Sequence, residues 1–151
     1  MKPFFNTQKR IAKLKLCASG WIGTPFMPNA AIPGSGVSCQ KLVAAIYREC
    51  GVINFEVPEG PMDWSHANER SLICEFMANV DGFIEIPRSQ KTLPGDMVGF
   101  RIGGCLHHCG VVITNDGQFI HCVRGRGTFY SNIADATYLT RLEKIWRPLC
   151  Q

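Results

Sequence analysis

The chain has 151 residues, a mass of 16.8 kDa and a formal net charge of +4, which is the length of one domain around a single core. Its hydrophobic fraction of 46% and charged fraction of 19% are ordinary for a globular protein and exclude a largely disordered chain. The modest basic excess is compatible with anionic polymers such as nucleic acid or cell-wall glycans but requires neither. No run of about 18 apolar residues occurs, so the sequence excludes a membrane-spanning helix.

The N-terminal segment and the cysteines indicate a reducing environment. Residues 1–16 are basic but interrupted by polar residues and have no apolar centre, so we expect synthesis in the cytoplasm without a signal peptide. The chain has eight cysteines. We expect most of them to be free thiols that pack as small core residues.

Two helices are predicted in the first third of the chain. Residues 9–19 intersperse apolar side chains with Lys and Arg, as a short amphipathic helix does. Residues 20–36 hold four Gly and three Pro and are predicted to form a loop. After Ser38, apolar residues recur with a helical period from Cys39 to Cys50, and Gly51 provides a C-terminal stop.

The middle of the chain is predicted to contain one more helix between loops. Residues 54–63 hold Pro and Gly and are expected to be irregular. Residues 65–79 have a helical pattern, with Ser65 as a candidate cap. Residues 93–96 are predicted to form a tight turn with Pro-Gly at its centre.

From residue 97 onward the hydrophobic period becomes that of strands. The predicted strands are 97–102, 108–114, 118–123 and 138–146. Asn115-Asp116-Gly117 between the second and third is a hairpin signal. Because the helices come first and an antiparallel sheet follows, the sequence predicts an α+β fold in one domain over residues 1–151.

Cys39 is the first candidate for chemistry, because it stands at the start of its predicted helix. Unpaired backbone N–H groups and the positive end of the helix dipole favour an anion there, so the thiol pKa falls and a nucleophilic thiolate forms. Gly34 and Gly36 would let a substrate backbone approach. In the alternative interpretation, Cys39 only begins the apolar stripe of the helix.

His108 and His121 are predicted to share one face of the hairpin. A two-residue tip at 115–116 pairs Gly110 with His121 and makes the two histidines diagonal neighbours, about 7–8 Å apart at Cα. This arrangement suits a base, His108, and a partner that orients its ring, His121. A three-residue tip would put the two histidines on opposite faces.

Other interpretations of these residues remain open. A lone histidine in a strand is usually an ordinary core or surface residue. His107 is expected to point the other way into solvent, and His66 to lie on the surface of a loop or helix. A zinc site is a second possible chemistry. Its candidate ligands are Cys105, His108, Cys109, His121 and Cys122. Against zinc, no second Cys-x-x-Cys arm is present, and Cys122 points away from His121 on a strand.

Five blocks between residues 20 and 123 stand in the order known from one enzyme family. They are Trp21-Ile22-Gly23-Thr24-Pro25-Phe26, Gly36-Val37-Ser38-Cys39-Gln40-Lys41-Leu42-Val43, Pro94-Gly95-Asp96-Met97-Val98, His108-Cys109-Gly110-Val111-Val112 and Gly117-Gln118-Phe119-Ile120-His121-Cys122. In these blocks the sequence resembles the NlpC-type cell-wall peptidases, which are papain-like cysteine enzymes. Asp63-Trp64 and Ile145-Trp146-Arg147-Pro148 add a resemblance to the phage-tail and gene-transfer-agent members.

The resemblance implies a papain-like fold and a cysteine endopeptidase that needs no metal or cofactor. Its substrates would be peptidoglycan stem peptides, commonly cleaved at the γ-D-glutamyl to diamino-acid bond. It also implies that Cys39 is the nucleophile, His108 the general base and His121 the orienting residue, with the Cys39 N–H in the oxyanion hole. The implied oxyanion and substrate-binding residues are Ser38, Phe26, Trp21 and Gln40. Nucleic acid and membranes are not expected as partners, whereas the phage-type resemblance implies tail proteins and a place on the virion.

Three positions depart from the family pattern. Ser38 replaces the Asp before the nucleophile, Gln40-Lys41 replace Ser-Gly after it, and Phe26 replaces a Tyr. The Asp helps to hold the free amino group of the stem peptide, so these changes leave specificity open. Two alternatives follow: a catalytically silent or altered-specificity relative that acts as a phage-tail or structural component, and another thiol acyl-transfer enzyme.

Overall fold

The computed structural model describes residues 1–57 and 71–151, and the elements below are numbered within these ranges. The helices are α1 (Gln8–Ser19), α2 (Cys39–Glu49), α3 (Leu72–Met77) and α4 (Ala136–Leu139). The strands are β1 (Ala31–Ile32), β2 (Gly36–Val37), β3 (Phe83–Ile86), β4 (Met97–Ile102), β5 (Cys105–Val112), β6 (Gln118–Val123), β7 (Gly127–Asn132) and β8 (Leu142–Pro148).

Six strands form one antiparallel sheet in the order β3-β8-β4-β5-β6-β7, and β1 and β2 form a separate two-stranded hairpin. Helix α2 packs across β5 and β6. The predicted α+β architecture, with N-terminal helices on an antiparallel sheet, is confirmed. In the two described ranges, no helix has the length and apolarity needed to cross a bilayer.

Local capping determines where the two N-terminal helices begin. Thr7 Oγ1 accepts a hydrogen bond from the Arg10 N–H at 3.2 Å, and Ser38 Oγ accepts one from the Lys41 N–H at 3.4 Å. Hydroxyl caps of this kind satisfy N–H groups that have no partner within the helix. Helix α2 then ends before Gly51, whose φ of +79° suits glycine. Both predicted N-terminal helices are confirmed to within one residue.

The sheet has a buried cluster of side chains on each face. The cluster between the helices and the sheet includes Leu14, Leu42, Ile46, Cys109, Val111 and Ile120. The cluster on the opposite face includes Val98, Phe100, Val112, Phe119 and Ile145. Because strand side chains alternate between faces, the same strands contribute to both clusters.

The predicted turn at residues 93–96 is confirmed and carries a buried ion pair. Arg147 donates to both carboxylate oxygens of Asp96, from Nε at 2.9 Å and from Nη2 at 2.8 Å. The same carboxylate accepts from the Leu93 N–H at 2.8 Å. Tyr47 Oη donates to the Gly95 carbonyl at 2.8 Å, so the turn is bound to α2 as well as to β8.

The predicted hairpin has the predicted register. Val111 pairs with Ile120 and Val112 with Phe119, which is the pairing that a two-residue tip requires. Strand β5, however, begins at Cys105 rather than at His108 and ends at Val112. Its pairing with β4 shifts between Phe100 and Arg101, which leaves His107 as an extra residue in β5. Such a bulge redirects the side chains beside it.

One predicted strand needs correction, and two strands of the six-stranded sheet were not predicted. The strand predicted at 138–146 is β8 only from Leu142 onward. Before it, the backbone carbonyl of Asp135 accepts hydrogen bonds from the N–H groups of Tyr138 and Leu139, and the short helix α4 begins. Strands β3 and β7 were not predicted. β3 is short with two exposed residues, and β7 is rich in polar residues, so neither has a clear apolar alternation.

The helix predicted at 65–79 is present in its second half. Helix α3 covers Leu72–Met77, and Ser71 Oγ caps it by accepting from the Cys74 N–H at 3.1 Å. The first part of that prediction, with Ser65 and His66, lies outside the described residues, as does Asp63-Trp64.

Candidate active site

Cys39 is the first residue of α2 and lies against β5. Its side chain is half-buried, and its Sγ lies 4.0 Å from the carbonyl oxygen of His107, the bulged residue. Ser38 caps the helix from the preceding position. The first backbone N–H groups of a helix have no intrahelical acceptor and carry its positive dipole end. The sulfur therefore lies where a negative charge is stabilised.

The surroundings of Cys39 favour its thiolate form. A hydrogen bond with the Cys109 thiol holds the pKa of Cys39 well below its usual range; burial opposes this effect, and a hydrogen bond with His108 and the charge of that ring add to it. The same hydrogen bond, together with burial, holds the pKa of Cys109 well above its usual range. Cys109 therefore stays protonated, and its S–H group is the hydrogen-bond donor to the Cys39 sulfur.

His108 and His121 are in direct contact. His108 Nε2 lies 2.8 Å from His121 Nδ1, and both rings are buried. The contact requires Gly110 between them, because a Cβ there would lie 2.6 Å from the Ile120 carbonyl oxygen and 3.2 Å from His121 Cβ. The juxtaposition predicted from the hairpin register is confirmed.

The two nitrogens of His108 serve different partners. His108 Nε2 is paired with His121 Nδ1, so Nδ1 is the ring nitrogen that stays available to the neighbouring Cys39 thiol, whose pKa this ring lowers. One ring thus links the thiol to the second histidine, which is the geometry of a nucleophile, a base and an orienting group.

His121 is held as a neutral imidazole. Burial lowers its pKa to about 3, and the charges of His108 and Arg126 act in the same direction. Its Nε2 lies 2.8 Å from Ser131 Oγ, which donates to Tyr138 Oη at 3.4 Å. The aromatic rings of Phe119, Phe129 and Tyr138 surround it with centroid distances of 4.6 to 5.2 Å.

Sequence reasoning missed three residues of this arrangement. Cys109 was considered only as a core thiol or a candidate zinc ligand, although its position directly after the candidate base was an available signal. Ser131 and Tyr138 belong to β7 and α4, which were not predicted as such. Their contact with His121 arises only when β7 pairs with β6 and α4 folds back over it.

The four residues expected at the oxyanion and substrate-binding region have different environments. The expectation for Trp21 is corrected: it is only 2% exposed and its Nε1 donates to Glu49 at 3.3 Å, so it packs in the core. Ser38 is the cap of α2. Phe26 is half-buried and forms a bridge with Val37, two residues before Cys39. Gln40 lines an apolar pocket.

That pocket lies beside the candidate site and does not contain it. It has a volume of about 380 Å³ and is enclosed mainly by apolar side chains of α2, α3 and the sheet. Its lining includes Gln40 and Cys109, but within the described residues it includes none of Cys39, His108 and His121.

The candidate zinc ligands do not converge. Cys122 Sγ donates to the Val37 carbonyl at 3.3 Å and thus points away from His121. Across residues 1–57 and 71–151, no three His, Cys, Asp or Glu side chains form a cluster that could hold a metal ion. The eight cysteines are free thiols, as expected. His107, expected in solvent, is half-buried.

No protein-family model and no curated protein sequence matches the chain. Solved structures match its fold. One is a Staphylococcus aureus protein of the NLP/P60 family, described as similar to a lipoprotein. It aligns over 99% of this chain and 44% of its own length, with 17% identity and a TM-score of 0.66. An NlpC/P60 family protein from Bacillus cereus aligns over 93% and 40%, with 20% identity and a TM-score of 0.64.

The NlpC/p60 domain of the peptidoglycan hydrolase SagA aligns over 89% of this chain and 96% of its own, with 16% identity and a TM-score of 0.56. The chain spans less than half the length of the Staphylococcus and Bacillus proteins. Its fold is therefore that of NlpC/P60 proteins, as the five sequence blocks implied.

Proposed function

We propose that this chain is a cysteine peptidase or amidase that hydrolyses peptide bonds in peptidoglycan stem peptides. One observation carries the proposal: the pKa of the thiol at the start of α2 is lowered by its neighbours Cys109 and His108, and His108 Nε2 lies 2.8 Å from His121 Nδ1. The fold supports the substrate class, since one structure of this fold is a domain of a peptidoglycan hydrolase. The γ-D-glutamyl to diamino-acid bond is the scissile bond that the sequence resemblance favours.

In the proposed mechanism, the Cys39 thiolate attacks the substrate carbonyl carbon. The backbone N–H of Cys39 donates to the oxyanion that develops. The His108 imidazolium gives its Nδ1 proton to the leaving amine, and a thioester to Cys39 remains. His108 then takes a proton from water, the hydroxide attacks the thioester, and the free acid leaves with the thiolate restored.

The residues around Cys39 bear on substrate choice. Ser38 offers a neutral hydroxyl where the resembling enzymes have a carboxylate, so the free amine of a stem peptide has no anionic partner at this position. We propose that this chain binds its substrate with weaker dependence on a free N-terminal amine. Comparison of cleavage of matched muropeptides with free and acetylated amines checks this point.

The function is tested with purified chain and peptidoglycan fragments analysed by mass spectrometry. We expect the wild type to release stem-peptide fragments and Cys39→Ala to lose at least about a thousandfold in rate, because the nucleophile is absent. Cys17→Ala is the matched control, since Cys17 is also a half-buried thiol but lies on α1. Turnover retained by folded Cys39→Ala would exclude the mechanism.

Thiol acyl transfer is a second candidate, favoured by the apolar pocket. Gln40 and Cys109, the neighbours of Cys39, both line it, so an apolar acyl group could lie beside the sulfur. A panel of fatty-acyl esters and amides distinguishes the two functions: hydrolysis of these but not of muropeptides would favour acyl transfer. Binding to phage-tail proteins stays a prediction.

A further inference from the structure

Both ring nitrogens of His121 have partners. Nδ1 lies 2.8 Å from His108 Nε2, and Nε2 lies 2.8 Å from Ser131 Oγ. Ser131 Oγ in turn donates to Tyr138 Oη at 3.4 Å. A continuous chain of hydrogen bonds therefore leads from the catalytic base through His121 to β7 and α4.

The direction of each hydrogen bond in this chain follows from counting protons. A neutral imidazole has one N–H donor and one acceptor nitrogen, and His121 is neutral because burial lowers its pKa to about 3. When His108 is an imidazolium, its Nε2–H must be donated to His121 Nδ1. The single proton of His121 is then on Nε2, where Ser131 Oγ accepts it.

We propose that Ser131 is a positioning residue that holds His121 in the tautomer with its proton on Nε2, and thereby stabilises the His108 imidazolium beside the Cys39 thiolate. Tyr138 supports this role because its Oη accepts the Ser131 hydroxyl proton. The inference rests on the catalytic roles in the proposed function, but its test needs no peptidoglycan.

Loss of the Ser131 hydroxyl would remove the preference for this tautomer. His121 could then carry its proton on Nδ1. Two hydrogen-bond donors, the Nδ1–H of His121 and the Nε2–H of the His108 imidazolium, would then face each other with no acceptor between them. That arrangement leaves a buried cation without its acceptor, which is costly. The imidazolium and the thiolate paired with it would both become less populated.

The other titratable and charged groups near these atoms are left chemically unchanged by a substitution at Ser131. His121 is faced by His108 from β5, Arg126 from the segment before β7, and Tyr138 from α4. Cys39 is faced by His108 and Cys109 from β5 and by Cys122 from β6. A changed titration of Cys39 in a Ser131 variant therefore reports the lost acceptor.

The test measures the rate at which iodoacetamide alkylates Cys39 as a function of pH, with the Cys39 peptide quantified by mass spectrometry. We expect Ser131→Ala to raise the midpoint by about one pH unit, which is a tenfold loss of thiolate below the midpoint. Ser131→Thr keeps a hydroxyl and should restore the wild-type midpoint. Thr128→Val is the control, because it removes another β7 hydroxyl, which donates to the Thr24 carbonyl at 2.9 Å.

Two results would overturn the inference: an unchanged midpoint in Ser131→Ala, or an equal rise in Thr128→Val. A measurement on the wild type covers the case in which Ser131→Ala does not fold. Nitrogen-15 NMR of the histidine rings at pH 7 should show His121 protonated on Nε2, and protonation on Nδ1 would refute the proposal. If muropeptides stay intact while the alkylation and NMR results hold, the proposed function fails and the role of Ser131 stands.

Discussion

At the scale of single residues, the Cys109 thiol is the group of the candidate site that acts most strongly on Cys39. It directly follows His108, the proposed general base, in β5. A valine at this position would have no group that can donate a hydrogen bond. In this chain the buried thiol donates to the Cys39 sulfur and is the largest contribution to the lowered pKa of Cys39.

We therefore predict that Cys109→Val makes Cys39 less reactive at neutral pH. A hydrogen bond to the thiolate stabilises the charged form and lowers the pKa, so its removal raises the pKa of Cys39. Hydrogen bonds to charged groups contribute about 1.5–3 kcal/mol, which corresponds to a rise of about one to two pH units in the midpoint of alkylation. Cys105→Val is the control on the same strand, and an equal effect there would contradict this role for Cys109.

At the scale of elements, the hairpin β5–β6 brings the two histidines together. Gly110 is essential to this hairpin because its bare backbone lets β6 approach where the two rings meet. The register and the pair were predictable, because alternation and a two-residue tip are local properties of the sequence. The bulge at His107 was not, because it depends on how β4 and β5 pair.

We predict that Gly110→Ala destabilises the protein and separates His108 from His121. The added methyl group would lie 2.6 Å from the Ile120 carbonyl oxygen, a backbone atom that cannot move aside without shifting β6. Overpacking of this kind costs about 1–3 kcal/mol. Chemical denaturation measures the loss in the free energy of unfolding. The midpoint of the pH profile of Cys39 alkylation should shift to higher pH.

Gly20→Ala is the control, since a Cβ there meets its nearest atom, the Cys17 carbonyl oxygen, at an ordinary 3.5 Å. A fully stable Gly110→Ala with the wild-type alkylation profile would show that β6 can move away without cost and that the close approach does not hold the histidines together.

At the scale of the whole molecule, the buried pair of Asp96 and Arg147 joins the start of β4 to the end of β8. The guanidinium donates to both carboxylate oxygens and also to the Lys91 carbonyl at 3.2 Å. Asp96 is 1% exposed and Arg147 is also buried, so water cannot solvate either charge if its partner is removed. The pair holds the turn at 93–96. Tyr47 of α2, the helix that begins at Cys39, donates a hydrogen bond to the Gly95 carbonyl in this turn and so attaches the helix to it.

We predict that Asp96→Asn lowers the free energy of unfolding by about 3–5 kcal/mol, because it leaves the Arg147 charge buried without its partner. Glu85→Gln is the matched control: it breaks the pair with Lys144, in which Glu85 is exposed, and should cost at most about 1 kcal/mol. Urea denaturation of both variants measures the difference. Equal losses in the two variants would mean that the buried pair does not hold the sheet.

The sequence by itself determined the helix that presents Cys39, the turn at 93–96 and the hairpin that aligns His108 with His121. These features depend on capping, periodicity and turn residues within a few positions of each other. Only the tertiary structure decided that Cys109 meets Cys39, that Trp21 is buried and that Ser131 and Tyr138 continue from His121. Those contacts join residues from separate elements, and their distances result from packing of the whole sheet against α2 and α4, which no local pattern encodes.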